Sequence, residues 1–149
     1  MEEKINRISL AANAAIFDEQ GRILLVKHTY GRENWEIPGG VAECNESIVE
    51  TAVREAREET GLEVVAEHTS GIYYEPDLDL MMFVFLCHPT DGTFKELRPD
   101  NNEISECAFW PHDALPRPIS DFTIRRVKDA ASGACFPLPA VIPKRQWLY

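Results

Sequence analysis

The segment from Gly39 to Leu62 constrains the fold more than any other part of the chain. Pro38 precedes the segment, and Gly39 and Gly40 begin it. The run Pro38-Gly39-Gly40 ends any strand that reaches it and lets the backbone turn sharply. Apolar residues then recur at helical spacing, and Gly61 stands where a helix ends. The pattern predicts a helix over about 47–60 with one narrow apolar side, formed by Val49, Ala52, Val53, Ala56 and Thr60.

Segments with the composition of β-strands surround this helix. They span 8–17, 22–28, 62–74, 78–88 and 101–111. The first two flank the turn Asp18–Gly21 and are expected to pair as a hairpin. A second helix is predicted over 120–132, with Ser120 as its N-cap. Strands outnumber helices and the helices are scattered between them, which predicts an α+β domain: a mixed β-sheet with helices packed on its faces, an α/β/α sandwich.

Length, charge and cysteine spacing restrict the function classes. The chain has 149 residues, so residues 1–149 are expected to form a single domain. A net charge of −10 argues against a nucleic-acid polymer as partner, but not against a small phosphate compound bridged by a divalent cation. The longest apolar run, Leu80–Cys87, is too short for a membrane span, and the N-terminus lacks the pattern of a signal peptide. We therefore expect a cytoplasmic protein without a membrane partner. In that compartment its cysteines are expected to be free thiols.

Three carboxylates lie beside the apolar side of the predicted helix. Glu55, Glu58 and Glu59 share the i, i+3, i+4 spacing, and like-charge pairs at that spacing cost a few tenths of a kcal/mol each. Two of them fall in the last turn, where the helix dipole disfavours negative charge. A solvated charged surface is the ordinary explanation for a glutamate-rich helix, but it does not account for this placement.

Arg54 is the nearest cation to these carboxylates. Spacing predicts a Glu50–Arg54 pair, with Arg54 also reaching Glu58, which leaves Glu55 and Glu59 without a positive partner on their side of the helix. A divalent cation would remove that conflict. Mg2+ prefers oxygen ligands and is often shared between carboxylates and substrate phosphates.

The same segment resembles the Nudix box, the motif G-x5-E-x7-R-E-U-x-E-E-x-G-U in which U is aliphatic. The chain fills the motif with Gly40, Glu46, Arg54, Glu55, Ala56, Glu58, Glu59, Gly61 and Leu62. Ala56 is smaller than the usual aliphatic residue, and Asn45 stands where many members have glycine. Asparagine tolerates the left-handed conformation next best, so the turn should survive. The order of the predicted elements also agrees with the Nudix fold.

The resemblance implies a reaction and a set of site residues. Nudix hydrolases cleave nucleoside diphosphates linked to another group, by attack of water on phosphorus, with Mg2+ or Mn2+ as cofactor. The implied metal ligands are Glu55, Glu58, Glu59, the Gly39 carbonyl and Glu103. Arg54 is expected to orient the glutamates, and Glu46 to tie the loop to the helix. The base that takes the proton of the attacking water is left open between Glu103 and Glu55.

The substrate is the least constrained part of this interpretation. Aromatic residues near the expected site loops could stack on a purine or pack in the core: Tyr30, Trp35, Tyr73 and Tyr74. Arg32 could bind phosphate or be a surface charge. Some Nudix enzymes acting on ADP-ribose carry a proline shortly after the box, and Pro76 lies close to that place.

We therefore expect Mg2+-dependent hydrolysis of a pyrophosphate linkage in a nucleoside diphosphate derivative, with ADP-ribose ranked first and nucleoside triphosphates second. The alternative is a non-catalytic nucleotide-binding or regulatory module on the same fold, but such modules usually lose box carboxylates and none is lost here. The expected partner is a small nucleotide, and a homodimer is left open.

Overall fold

A computed structural model describes residues 7–94, 96–99, 102–141 and 143–148. Its elements in chain order are the strands and helices β1 (Ser9–Ile16), β2 (Ile23–His28), β3 (Trp35–Glu36), β4 (Gly39–Val41), α1 (Ile48–Thr60), β5 (Val64–Glu75), β6 (Leu80–Pro89), β7 (Ile104–Trp110) and α2 (Asp121–Ala131). A short 3-10 helix, Pro76–Leu78, joins β5 to β6.

The strands form two sheets where the sequence predicted one. The larger sheet has the order β4-β1-β6-β5 and is mixed, because β1 runs parallel to β6 while its other pairings are antiparallel. The smaller sheet has the order β3-β2-β7 and is antiparallel. The predicted β1–β2 hairpin is wrong, although the two strands approach each other at the Phe17–Ile23 bridge. β4 and β6 already occupy both edges of β1, so β2 has no free edge there to pair with.

One helix covers each face of the larger sheet, which confirms the predicted α+β sandwich. Alternate residues of β1 point to opposite faces. Ala12 and Ala14 belong to the core that α1 covers, and Ala15 belongs to the core on the α2 side. Both faces of β1 are therefore buried, and its small side chains let α1 pack through Ala52 and Ala56.

The ends of α1 lie where the sequence predicted them. Ser47 is the N-cap and forms a capping box with Glu50: the Glu50 N–H donates to Ser47 Oγ at 3.2 Å, and the Ser47 N–H donates to the Glu50 carboxylate at 3.4 Å. Gly61 ends the helix at a φ of 80°, and its N–H donates to the Arg57 carbonyl. The helix is held at both ends, so its side chains project from fixed positions.

Two further observations complete the fold. The described part of the chain contains no helix that is both long and apolar enough to cross a membrane.

Past α2, the backbone of Phe136 pairs with Thr69 on β5, with N–H···O distances of 2.8 and 2.9 Å. The segment after α2 thus packs along the outer edge of the larger sheet.

Candidate active site

Arg54 lies at the centre of a cluster of carboxylates. Its Nε donates to one oxygen of Glu46 at 2.6 Å and its Nη2 to the other at 3.1 Å. Its Nη1 donates to Glu55 at 2.9 Å and to Glu58 at 3.1 Å. The predicted Glu50–Arg54 pair is wrong, because Glu50 is engaged in the capping box. Glu55 therefore has a positive partner that the sequence pattern did not assign to it.

Glu46 connects the loop before α1 to the helix itself. Besides its two bonds from Arg54, it accepts a hydrogen bond from the Thr51 hydroxyl at 2.7 Å. The bonds from Arg54 hold the pKa of the Glu46 carboxyl at about 2, so this group stays charged at any physiological pH. The loop from Gly40 to Ser47 is thus pinned to α1 by charge-assisted hydrogen bonds.

Glu59 is the most buried carboxylate of the cluster. Its side chain is 6% exposed, and it accepts a hydrogen bond from the Gly39 N–H at 3.2 Å. Burial raises its pKa to about 9, and the neighbouring charge of Glu55 adds to the effect. Burial also raises the pKa of Glu55. Two adjacent carboxylates therefore face each other where water solvates them poorly.

The two glycines of β4 leave room for close contacts on both faces of the strand, and the contact at Gly40 is with Glu55. A Cβ atom at Gly40 would lie 2.5 Å from the Glu55 carboxylate, so no other residue fits there without moving Glu55. A Cβ atom at Gly39 would collide with the Ala12 carbonyl and the Asn13 side chain. Gly39 and Gly40 are thus required by close contacts on opposite faces of one short strand.

Glu103 lies on the turn before β7, close to Glu59. Its backbone carbonyl accepts from the Thr29 N–H at 2.9 Å, and its charge contributes to the raised pKa of Glu59. Tyr30 lies close to the same carboxylates. Burial raises the Tyr30 pKa, and so do the charges of nearby carboxylates, those of Glu103, Glu59, Glu36 and Glu55. Glu103 and Tyr30, distant from the box in sequence, are therefore brought to it by the fold.

The other predicted substrate residues lie elsewhere. Trp35 is 4% exposed and packs edge-on against Trp110, so it belongs to the core. Tyr73 donates its hydroxyl to Asp129 at 2.6 Å on the α2 side. Tyr74 lies near the end of β5 and donates its hydroxyl to Asp79, just before β6, at 3.2 Å. Arg32 lines a separate cleft, together with Asn34, Pro118, Ile119 and Ser120. Of the four aromatic candidates, Tyr30 is the one near the carboxylates.

The donor atoms suit a hard divalent cation. Within the described residues, no three His, Cys, Asp or Glu side chains are already arranged to hold a metal ion, and both Glu55 and Glu58 are bonded to Arg54. The groups that do converge are carboxylate oxygens, the ligands that Mg2+ and Mn2+ prefer. Burial raises the pKa values of Glu55 and Glu59, and a divalent cation beside them would stabilise their charged forms.

Sequence analysis missed a second polar network that lies on the other side of β4. It joins Arg126 of α2 to Asn13 of β1 and Glu36 of β3. The available signals were a single asparagine in an alanine-rich strand and an arginine next to Val127 on the apolar side of α2. Neither signal identifies its partner, because Asn13 and Arg126 are 113 positions apart.

Known proteins are similar to this chain in sequence and in fold. A family model described as NUDIX domain matches residues 7–130. The human protein 8-oxo-dGDP phosphatase NUDT18 is 31% identical over 121 residues, which are 80% of this chain and 37% of that protein. An ADP-ribose pyrophosphatase of Methanocaldococcus jannaschii is 31% identical over 108 residues, covering 68% of this chain and 62% of that protein. The chain thus spans less than two thirds of the length of both relatives.

The folds agree over most of the chain as well. The crystal structure of an ADP-ribose pyrophosphatase from Streptococcus suis superimposes with a TM-score of 0.68 at 27% sequence identity. The match covers 89% of this chain and 97% of that one. A structure from Nitrosomonas europaea gives a TM-score of 0.73 at 24% identity, which shows a common fold.

The buried Glu59 carboxyl predicts a dependence of stability on pH. Its pKa is about 9 in the folded protein against an ordinary value of 4.5, so between these values the folded protein binds a proton that the unfolded chain has lost. The free energy of unfolding should therefore fall as pH rises from about 5 to 9. Urea unfolding in the presence of a chelator measures this fall, and Glu59→Gln should reduce it and be the more stable protein at pH 8.

Glu58→Gln is the matched control for this experiment, because that carboxylate is 48% exposed and bonded to Arg54. If the free energy of unfolding of Glu59→Gln fell with pH as steeply as that of the wild type, Glu59 would not be the group that carries the buried proton.

Removal of Arg54 should disturb the whole cluster. Arg54→Ala leaves Glu46 and Glu55 without their main positive partner, so we expect a loss of stability of about 3 kcal/mol. Affinity for Mn2+, measured by calorimetry, should fall by about tenfold or more, because the carboxylates lose the group that orients them. Arg57→Ala, in the next turn of α1 and exposed, is the control. Unchanged Mn2+ affinity in Arg54→Ala would reduce Arg54 to a structural charge.

Proposed function

Because this chain belongs to the Nudix hydrolase family, we propose that it hydrolyses a pyrophosphate linkage in a nucleoside diphosphate derivative, with Mg2+ or Mn2+ as cofactor. The observation that carries the proposal is the intact cluster around Arg54, which holds Glu46, Glu55 and Glu58 next to the buried Glu59. A helix selected for stability alone would not bury adjacent carboxylates. The cluster is therefore best explained by a function that needs them.

The residues proposed to hold the cation are Glu55 and Glu59, with Glu58 and the Gly39 carbonyl as further ligands. Glu103 either joins them as a ligand or acts as the base. A divalent cation in this place supplies neutralisation of the substrate phosphates and a more acidic water molecule. The chain's own part is to orient the carboxylates. Arg54 does so for Glu55 and Glu58, and the Gly39 N–H does so for Glu59.

Glu103 is the proposed base. It is exposed at the rim of the cluster, and its charge acts on Glu59. A carboxylate in this position can accept the proton of a water molecule that attacks phosphorus. Glu55 is the second candidate, but one of its carboxylate oxygens is occupied by a hydrogen bond from Arg54.

ADP-ribose is the proposed first substrate and nucleoside triphosphates the second. The support is the likeness to two proteins named ADP-ribose pyrophosphatase, of M. jannaschii and S. suis. NUDT18, named for 8-oxo-dGDP, adds a damaged nucleoside diphosphate as a further substrate to test. All of these compounds share a diphosphate joined to a nucleoside, which is the chemistry proposed for this site.

Pro76 does not support the ranking in the way its sequence position suggested. Gly39, which is bonded to Glu59, marks the level of the carboxylates in the larger sheet. It lies opposite Asn13, and the row of paired residues continues across the sheet through Val84 to Gly71. Pro76 is five positions beyond Gly71 along the chain, which is on the order of 16 Å of strand away from that row.

Tyr30 is the residue that we propose to contact the nucleobase of the substrate. One face of its ring stacks on His28, with centroids 4.7 Å apart and planes 12° from parallel. The residue is 56% exposed and lies beside the carboxylates. An exposed aromatic ring of this kind can stack on a nucleobase, which is worth about 1–3 kcal/mol.

The first expected outcome concerns the metal. Hydrolysis should stop in the presence of excess chelator and return when Mg2+ or Mn2+ is added back. Glu59→Gln should lose at least about a thousandfold in kcat, because the metal contributes several kcal/mol to stabilisation of the transition state. Glu19→Gln, an exposed acidic residue in the turn after β1, is the control. Full activity in chelator would contradict the proposal, and an inactive but nucleotide-binding wild type would favour the non-catalytic module.

The second expected outcome concerns the substrate. In a panel of ADP-ribose, 8-oxo-dGDP, nucleoside triphosphates, NADH and nucleotide sugars, ADP-ribose should show the highest kcat/KM and yield AMP and ribose 5-phosphate.

Tyr30→Ala should raise the KM of the preferred substrate by about tenfold with little change in kcat, as expected for loss of a stacking contact. Tyr74→Ala, equally exposed on β5, should leave KM unchanged. A higher kcat/KM for a triphosphate, with release of pyrophosphate, would reverse the ranking.

A further inference from the structure

Arg126 forms a buried polar network on the face of the larger sheet that α2 covers. The residue is 2% exposed, and its Nη1 donates to Asn13 Oδ1 at 2.6 Å. Its Nη2 donates to Glu36 Oε2 at 3.0 Å, an oxygen that also accepts from the Thr123 hydroxyl at 3.0 Å. The guanidinium lies 4.0 Å from the centre of the Phe122 ring. One side chain of α2 thus binds residues of β1 and β3 together.

The network continues into the backbone that leads to Gly39. The Asn13 amide donates to the Ile37 carbonyl at 3.1 Å, and the Ile37 N–H donates to Glu36 Oε1 at 2.8 Å. The next carbonyl, that of Pro38, accepts from the Ala14 N–H at 2.8 Å. Both polar groups of Ile37 are therefore held by the two side chains to which Arg126 is bonded.

The strand β4 is the point at which this network and the carboxylate cluster meet. Gly39 has no room for a Cβ because Asn13 lies against it, and Gly40 has none because Glu55 lies against it. The Gly39 N–H in turn donates to Glu59 at 3.2 Å. A shift of the segment 36–40 on the Asn13 side would therefore move a hydrogen-bond donor and a contact surface of the carboxylates on the other side.

Stability alone gives little reason for a guanidinium at this place. Burying an arginine and its carboxylate costs desolvation, and apolar residues of similar size often serve a core as well or better. What arginine adds is a rigid fork that can bond two acceptors on two different strands at once. The geometry here uses that property, with Asn13 on one nitrogen and Glu36 on the other.

We propose that Arg126 is a positioning residue for the carboxylate site: through Asn13 and Glu36 it sets the position of the segment 36–40, and through Gly39 and Gly40 the position of Glu59 and Glu55. The proposal rests on the metal site proposed above. It assigns to α2, which contributes no residue to the carboxylate cluster, a role in metal binding and turnover.

The test compares Arg126→Met and Arg126→Lys with Val127→Ala. The control is the adjacent, fully buried residue of α2, so it loosens the same helix without touching the network. Mn2+ dissociation constants are measured by calorimetry on the full chain without substrate, and kcat and KM with the preferred substrate. Arg126→Met should bind Mn2+ about tenfold more weakly and lose kcat rather than KM.

Arg126→Lys should lie between wild type and Arg126→Met, because an ammonium keeps the charge but cannot reproduce the fork to both acceptors. Val127→Ala should lower stability and keep the wild-type Mn2+ affinity. If Arg126→Met does not fold, Asn13→Ala replaces it, and the same weakening is expected because the Ile37 carbonyl loses its donor.

Two results would overturn the proposal: wild-type Mn2+ affinity in the folded Arg126 and Asn13 variants, or an equal loss of affinity in Val127→Ala. Glu59→Gln separates this failure from that of the metal site itself. If Glu59→Gln abolishes Mn2+ binding while the Arg126 variants retain it, the metal site stands and the positioning role fails. If Glu59→Gln binds Mn2+ normally, the metal site fails first.

Discussion

The arrangement of the site depends on one guanidinium, that of Arg54. A single helix and its preceding loop bring four carboxylates together, and without a cation they would repel one another. Arg54 bonds three of them, Glu46, Glu55 and Glu58, and so fixes both the loop and the helix around one point. The fourth, Glu59, is held by a backbone N–H instead. The cluster is thus organised by charge-assisted hydrogen bonds to one side chain and one peptide group.

This organisation favours function over stability. Glu59 is buried next to Glu55, and its pKa of about 9 is the thermodynamic sign of that conflict. The helix dipole disfavours negative charge in the last turn of α1, where this chain places two glutamates beside Arg57. Violations of local preference that persist in a well-capped helix are expected at functional sites.

The short strand β4 lies between the carboxylate cluster and the Arg126 network. Its two glycines face in opposite directions, one toward the carboxylates presented by α1 and one toward Asn13 in the Arg126 network. A Cβ at Gly39 would collide with backbone atoms and Asn13, and one at Gly40 would displace the Glu55 carboxylate, so both faces of the segment are in close contact with the rest of the protein. A strand of three residues can hold a precise position in this way, although its own backbone pairing is limited to one neighbour, β1.

The bounds of α1, the mixed class of the fold and the grouping of Glu55, Glu58 and Glu59 could be predicted from the sequence, because capping and helical spacing depend on residues within a few positions of one another. Tertiary structure decided which strand pairs with β1, that Arg54 bonds Glu46 rather than Glu50, and that Tyr30 rather than Trp35 lies beside the carboxylates. It also decided the Asn13–Arg126 bond across 113 positions. These outcomes depend on which strand edges are free and which side chains meet after packing, and local periodicity carries no information about either.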